Sequence, residues 1–232
     1  MIHHASHHIS NNSQGLVGGF QQLPSVIILF GIMGLAPFIV IMVTSYVKLS
    51  VVLSLVRNAL GTQQTPPNMV INGLAIILTL YIMAPVAVQI NEAMAKQKVR
   101  FDNPMAIIEN FGKVADPLRE FLFKHSSPKE RQFFVKSARQ IWPKEMADKL
   151  QERDLMVLIP AFTVSELTAA FVISFFIYLP FIVIDLVVSN VLMAMGMMMV
   201  SPMTISLPIK LLLFVLIEGW GRLTHSLILS YG

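Results

Sequence analysis

The chain contains no cysteine. This absence excludes a disulfide framework, a thiolate nucleophile and any metal site built on cysteine. Charged residues are also scarce, at 13% of 232 residues, whereas a soluble domain carries about 25%. Hydrophobic residues make up 55% of the chain and are gathered into long apolar segments. The composition therefore predicts a membrane protein.

The sequence also lacks the motifs of several common chemistries. It has no phosphate-binding Walker loop, no dinucleotide-binding glycine fingerprint and no His-Glu-x-x-His pair. The net charge of +4 is small for a chain of this length and gives no indication of nucleic-acid binding. We therefore expect neither enzymatic activity nor a cofactor, a resident metal or a nucleic-acid partner.

The first segment, residues 1–22, is polar and rich in His, Ser, Asn and Gly. Two pairs, His3 with His7 and His4 with His8, have the i,i+4 spacing that chelates a metal on a helix. An unordered tail is the simpler interpretation, and we expect that. The segment has no Lys or Arg followed by an apolar core, so no secretory signal is predicted.

The first apolar block runs from residue 23 to residue 56 and is longer than the roughly 20 residues that one membrane-spanning helix needs. Gly31, Gly34 and Pro37 can divide or bend it. Lys48 lies inside the block, and a cation in that position usually faces protein or water instead of lipid.

A polar turn follows the first block. Arg57 suits the C-terminus of a helix, Gly61 suits a left-handed cap, and Pro66 delays the next helix. A second apolar helix is predicted over residues 69–90. Residues 23–90 are therefore predicted to form a helical hairpin.

The composition changes abruptly at residues 91–154, where most of the charged residues lie. This segment holds 13 of the 17 Lys and Arg residues and 10 of the 13 Asp and Glu residues. Its amphipathic pattern predicts a small soluble helical insertion between two apolar hairpins. Its charge does not decide its side of the membrane, since the positive-inside rule weakens for loops longer than about 60 residues. The apolar positions of the pattern are Ile107, Ile108, Phe111, Leu118, Phe121, Leu122, Phe133, Phe134 and Val135.

The second apolar region occupies residues 155–232. Residues 155–200 form one continuous run, which is too long for one span, and its length predicts a hairpin of two helices. A last apolar segment covers residues 207–229. The fold class is therefore predicted to be all-α, with apolar hairpins on either side of the insertion.

Three ionisable residues lie within these apolar segments: Glu166, Asp185 and Lys210. A charge at the centre of a bilayer costs roughly 2.5–3.5 kcal/mol on insertion scales, so such residues persist mainly as partners or where water reaches them. We predict that Glu166 pairs with Lys210, within one subunit or between neighbours. A structural pair and a proton or ion relay both remain open.

Six of the 15 methionines fall between Val191 and Met203. Gly196 interrupts this run and Pro202 ends it, which predicts a bent apolar loop instead of a continuous helix. Methionine side chains are unbranched and adaptable, so they fill irregular cores or line soft apolar surfaces. Composition alone favours core packing.

Four long stretches carry a resemblance to a known family: RNALGTQQTPPN, IPAFTVSELTAAF, YLPFIVIDLVVSNVLMAMGMMMVSP and ISLPIKLLLFVLIEGWGRL. They resemble the FliP/SctR family of core export-apparatus proteins in bacterial type III secretion, and the resemblance covers roughly residues 23–231. SPMTISLPIK and EGWGRL, together with the lack of a signal sequence, favour the injectisome branch over the flagellar one. GTQQTPPN also suits the flagellar branch.

The resemblance implies an assembly of about five copies of the chain with two other small export-apparatus membrane proteins. Such a complex lies at the bacterial inner membrane, protrudes toward the periplasm, and works with larger export-gate and switch components to pass unfolded secreted proteins. The resemblance further implies that the insertion is extracytoplasmic. Gly196, Met197, Met198 and Met199 would line the pore and close it as a gasket.

Two other functional classes would use some of the same charged residues. An intramembrane aspartyl protease needs two carboxylates in one site, and Asp185 is the only Asp in the apolar segments. An ion-coupled secondary transporter would use Glu166, Asp185 and Lys210 as a coupling site. Such transporters are commonly built from internal repeats, and the two halves of this chain show none.

Overall fold

The computed structural model describes residues 30–31, 33–62, 65–96, 114–197 and 199–232. These residues form helices and connecting turns without a strand, as the predicted all-α class requires. Several sequence predictions fall outside them: the N-terminal tail with its histidine pairs, Ile107, Ile108, Phe111 and Met198. The helices are α1 (Met33–Met42), α2 (Tyr46–Ala59), α3 (Asn68–Lys96), α4 (Asp116–His125), α5 (Pro128–Ile141), α6 (Lys144–Ala147), α7 (Leu155–Ala194), α8 (Pro202–Leu216) and α9 (Gly219–Leu229).

The first apolar block is bent by 66° between α1 and α2. The break lies at residues 43–45, beyond Pro37 and the two glycines that could have caused it. Helix α2 buries Leu49, Val52 and Val56 on one face against α7 and α3, while the side chains of α1 are exposed. The bend therefore occurs where the packed part of the block begins.

The turn after α2 has the predicted chemistry. Gly61 has φ +75°, a left-handed conformation that glycine adopts without a steric cost. Arg57 lies in the last turn of α2, and its guanidinium donates a hydrogen bond to the carbonyl of Pro66 over 3.2 Å. Helices α2 and α3 pack against each other across this turn.

Helix α7 is a single helix of 40 residues. The predicted hairpin over residues 155–200 is therefore wrong. Pro160 and Pro180 both remain inside the helix, which apolar helices tolerate because neighbouring groups satisfy the freed backbone. At 1.5 Å per residue the helix is about 60 Å long, roughly twice the hydrocarbon thickness of a bilayer.

Part of this length is covered by the insertion. Helices α4 and α5 pack on α7, and Phe121 and Leu122 of α4 join Leu158 and Phe162 of α7 in a small apolar core. The N-terminal end of α7 is therefore buried by protein and does not need a lipid environment. This contact explains how one helix can exceed the length of a single span.

The last apolar segment is bent by 58° between α8 and α9. Glu218 occupies the bend with φ 54°, a left-handed conformation that is uncommon for a residue with a side chain. Gly219 follows it, and a Cβ atom there would lie 2.3 Å from Cε2 of Phe214. An alanine at this position would therefore require the Phe214 ring or the helix to move.

Within the described residues, α3 and α7 are each long and apolar enough to cross a membrane, and up to four spans result if each bent pair counts as one. The larger apolar core joins α2, α3, α7, α8 and α9. The Met-rich segment lies at one end of this core, between α7 and α8, and the insertion lies at the other end of α7.

Candidate pore loop and buried charge cluster

The Met-rich segment contains a loop, as the sequence predicts, but a shorter one, because residues 191–194 still belong to α7 and α8 begins at Pro202. Helix α7 ends at Ala194, and the N–H of Gly196 and the N–H of Met197 donate to the carbonyls of Met193 and Leu192 over 3.0 Å each. Gly196 has φ +73°. These bonds satisfy the last carbonyls of α7 through a left-handed glycine, the usual way in which a helix is closed. A side chain at Gly196 would strain this turn.

The methionine side chains of the loop are exposed in the single chain. Met195, Met197 and Met199 have exposed fractions of 66%, 43% and 100%. Core packing, the interpretation that composition favoured, therefore does not hold for these three side chains within one subunit. A contiguous exposed apolar patch usually marks a surface that meets another molecule.

An ion pair joins the two helices that carry the loop. Lys210 of α8 lies 2.5 Å from the Oδ2 atom of Asp185 of α7, and its Nζ atom also donates to the carbonyl of Ala59 over 3.4 Å. Lys210 is buried, while the Asp185 side chain is partly exposed. Because Ala59 ends α2, this one cation connects three helices near the base of the loop.

Met203 adds an apolar contact closer to the loop. It lies in the first turn of α8, and its Cε atom would be 3.5 Å from a Cβ atom built on Gly61. The turn after α2 therefore packs against the start of α8. The loop is flanked on both sides by residues that the fold holds in place.

A second buried cluster lies near the opposite end of α7. The Nζ atom of Lys48 is 3.3 Å from Oε1 of Glu166, and the hydroxyl of Tyr231 donates to Oε2 of the same carboxylate. The Lys48 ammonium also lies 3.7 Å from the centroid of the Tyr231 ring. The side chains of Lys48 and Glu166 are only 5% and 4% exposed. The Glu166 carboxylate therefore joins α2 and α7 to Tyr231, two residues beyond the end of α9.

Within one chain, Glu166 does not pair with Lys210, and two separate pairs form instead. Glu166 and Asp185 are nineteen positions apart on α7, which places them about 28 Å apart along the helix axis. Lys210 can therefore contact only one of them, and it contacts Asp185. Sequence reasoning noted Lys48 without assigning it a partner, and no pattern in the sequence singles out Tyr231.

His125, at the end of α4, lies beside this cluster. Its ring centroid is 4.7 Å from that of Phe121 and 5.0 Å from that of Tyr231. Burial, with smaller contributions from the positive charges of Lys124 and Lys48, lowers the pKa of His125 to about 4. The imidazole is therefore neutral at pH 7, and the insertion contacts the cluster through uncharged aromatic rings.

Among the described residues, no group of three or more His, Asp and Glu side chains is placed to hold a metal ion. Lys48, Glu166, Asp185 and Lys210 form two ion pairs instead. Neither pair brings two carboxylates together, which is the arrangement that acid–base chemistry of the aspartyl-protease type needs.

Comparison with known proteins identifies the family. The sequence profile of the FliP family matches residues 29–227. The chain is 56% identical to the Yop proteins translocation protein R of Yersinia pestis over 214 residues, which cover 91% of this chain and 99% of that protein.

Other relatives are less similar but match over almost the same length. Identity is 47% over 215 residues to the hypersensitivity response secretion protein HrcR of Ralstonia nicotianae, covering 90% of this chain and 98% of the relative. It is 47% over 210 residues to the virulence protein YscR of Salmonella typhimurium, covering 90% and 96%. The chain therefore belongs to the FliP family of type III secretion export-apparatus proteins, whose members are secretion components and not enzymes.

Proposed function

We propose that this chain is the pore-forming core subunit of a type III secretion export gate of the injectisome branch. In this proposal the gate passes unfolded proteins across the bacterial inner membrane. The loop of Gly196, Met197, Met198 and Met199 closes the channel as a gasket. The named translocation and secretion functions of the relatives support this proposal.

The observation that carries the proposal is the exposure of the thioether side chains on a loop whose two ends are fixed. Met197 and Met199 are exposed in one chain, while Asp185 and Lys210 join the flanking helices below them. A ring of such loops from several subunits can exclude water because the side chains are apolar. It can also conform to any passing sequence because each side chain changes rotamer at little cost.

The apolar surface of the single chain supports an assembly. Helices α3, α7 and α8 expose large hydrophobic side chains, among them Leu80 and Tyr81 of α3 and Phe175 and Phe176 of α7. We propose that about five copies and two other small export-apparatus membrane proteins bury these faces in a complex that protrudes toward the periplasm. Larger export-gate and switch components would deliver the substrates. The insertion would then be extracytoplasmic and contribute exposed aromatic side chains such as Phe133 to subunit contacts.

The arrangement of charges gives no support to an ion-coupled transporter. A coupling site would need Glu166, Asp185 and Lys210 within reach of one ion. Glu166 instead binds Lys48 and Tyr231, and Asp185 binds Lys210 about 28 Å away along α7. Both pairs connect helices, which is what a structural pair does.

Site-directed cross-linking to a stalled substrate tests the proposed channel. Because the chain has no native cysteine, a Met197→Cys variant carries a single thiol on the loop. A secretion substrate fused to a domain that cannot unfold should stall in the channel and cross-link to this position. A Met146→Cys variant is the matched control, since Met146 is also exposed but lies on α6. Equal cross-linking at both positions, or none at position 197, would contradict a path through the loop.

A further inference from the structure

A cavity of about 510 Å³ lies between α2, α7, α8 and α9, away from the Met loop. Most of its wall is aliphatic or aromatic. The side chains that form this wall include Val56, Ile173, Ile177, Phe181, Phe214 and Leu223. A cavity of this size and lining excludes most polar ligands and suits a hydrocarbon chain.

Two polar side chains interrupt the apolar wall, and both belong to α9. Arg222 and Ser226 are four residues apart, so they lie on the same face of the helix. Both are exposed at the mouth of the cavity. Among the residues that the structure describes, no acidic side chain lies within salt-bridge distance of the Arg222 guanidinium. The cavity thus combines an apolar interior with one cation at its entrance.

The helix that carries Arg222 has the composition of a membrane–water boundary. Helix α8 is apolar over most of its length, whereas α9 turns away by 58° and carries Trp220, Arg222 and His225. Tryptophan and basic residues concentrate at the level of lipid headgroups. The composition of α9 is therefore that expected of a helix at headgroup level, where Arg222 can meet a lipid phosphate.

We propose that this cavity binds one acyl chain of an anionic phospholipid, with the phosphate of the headgroup held by Arg222. The apolar wall recognises the chain, and the guanidinium forms charge-assisted hydrogen bonds with phosphate oxygens. Ser226, one turn further along α9, donates its hydroxyl to the headgroup. The site is independent of the Met loop and would be occupied whenever α8 and α9 lie in a membrane.

Native mass spectrometry of the purified full-length chain tests this proposal. The protein is offered 16-carbon phosphatidylglycerol and 16-carbon phosphatidylcholine in equal amounts. A cation at the headgroup is worth about one kcal/mol, so we expect about fivefold preference for phosphatidylglycerol. Soluble glycerol phosphate at the same concentration should not compete, because it lacks the chain that the cavity binds.

Three variants test whether the lipids bind in this cavity. Arg222→Gln should remove the preference for phosphatidylglycerol, and Ser226→Phe, which fills the mouth, should reduce the binding of both lipids. Arg139→Gln is the control, since Arg139 is an exposed cation on α5, and should bind like the parent chain. A circular-dichroism melt of each variant establishes that it is folded.

Several results would overturn the proposal. Equal binding of both lipids by the parent chain would do so, as would an unchanged preference in Arg222→Gln. Competition by glycerol phosphate would show a free phosphate site instead. Loss of self-association in Arg222→Gln, with lipid binding unchanged, would show that a second copy of the chain covers the cavity.

Discussion

At the scale of single residues, the apolar region contains two contrasting kinds of side chain: exposed methionines on the loop and paired charges in the helices. The exposed methionines of the loop make few fixed contacts, whereas Lys48, Glu166 and Lys210 are buried and paired. A buried pair is costly to disrupt, because removing one partner leaves an uncompensated charge in an apolar environment. Rigid charge pairs therefore hold the helices that carry adaptable side chains.

The Lys48–Glu166 pair should contribute strongly to stability. We expect Glu166→Gln to destabilise the folded chain by about 3–5 kcal/mol, because the Lys48 ammonium is then buried without its partner. Loss of helicity on titration with a denaturing detergent measures this change. The double variant Lys48→Met with Glu166→Leu should recover most of the loss, since it removes both charges.

Asp116→Asn is the control for this measurement. Asp116 pairs with Arg119 on the exposed surface of α4, where an ion pair contributes at most about 1 kcal/mol. If Asp116→Asn and Glu166→Gln destabilise the chain equally, the buried cluster has no special contribution and the interpretation is wrong.

His125 should make the fold sensitive to acid. Its pKa is about 4 in the folded chain against an ordinary value of 6.5. The unfolded chain therefore binds more protons between these values, and stability decreases as the pH falls from 6.5 toward 4. With allowance for a half-buried ring, the loss is about 1–2 kcal/mol. The unfolding midpoint of His125→Gln should fall less over this pH range than that of the parent chain, and identical pH profiles would contradict this.

The sequence identified which residues were unusual but not which residues they contact. Glu166, Asp185 and Lys210 stand out because charges are rare in apolar segments, and this signal is local. Their partners depend on how far α2 and α8 lie along α7, which is a tertiary property. Tyr231 is an ordinary tyrosine in the sequence, and only the fold places its hydroxyl on Glu166.

At the scale of elements, the glycines predicted the turns after α2 and α7, but the sequence did not predict the length of α7. Gly61 and Gly196 both adopt the left-handed conformations that end α2 and α7. The length of the apolar run over residues 155–200 predicted two helices, yet α7 is one helix that continues through Pro160 and Pro180. Proline is tolerated inside apolar helices because neighbouring groups can satisfy the backbone carbonyl that it frees.

The bend between α8 and α9 should depend on Gly219. Gly219→Ala places a Cβ atom 2.3 Å from Cε2 of Phe214, so the ring or the helix must move. We expect a destabilisation of about 1–3 kcal/mol in the same detergent titration. Gly221→Ala is the matched control, because nothing lies within 4 Å of its added Cβ atom and alanine favours the helix. Equal stability of the two variants would show that the contact at Gly219 is easily relaxed.

At the scale of the whole molecule, the sequence was sufficient for the class and the family but not for topology. Apolar runs and motifs predicted an all-α membrane-type protein, and the helices and the family match agree. Hydropathy alone cannot tell lipid-facing surface from subunit-facing surface, since both are apolar. Only an assembly can therefore show whether the exposed apolar faces of α3 and α7 contact lipid or another subunit.

Thiol labelling tests the proposed extracytoplasmic position of the insertion. Glu145→Cys introduces the only thiol, on the exposed surface of α6, and Thr65→Cys places it at the other end of α3. In cells with a permeable outer membrane, an impermeant maleimide should label the first variant before lysis and the second only after lysis. The reverse pattern would invert the topology.

The most direct test of the central claim is the ion and small-molecule permeability of cells that express assembled complexes. We expect the variant with Ala at positions 197, 198 and 199 to leak, because the constriction loses its long apolar side chains. The variant with Leu at all three positions should stay closed, since volume and apolarity are similar, but should export less efficiently. Changing three exposed methionines elsewhere, Met69, Met146 and Met156, to Ala is the control and should leave the cells tight. An Ala variant at positions 197–199 that assembles and remains as tight as the parent would contradict a methionine seal.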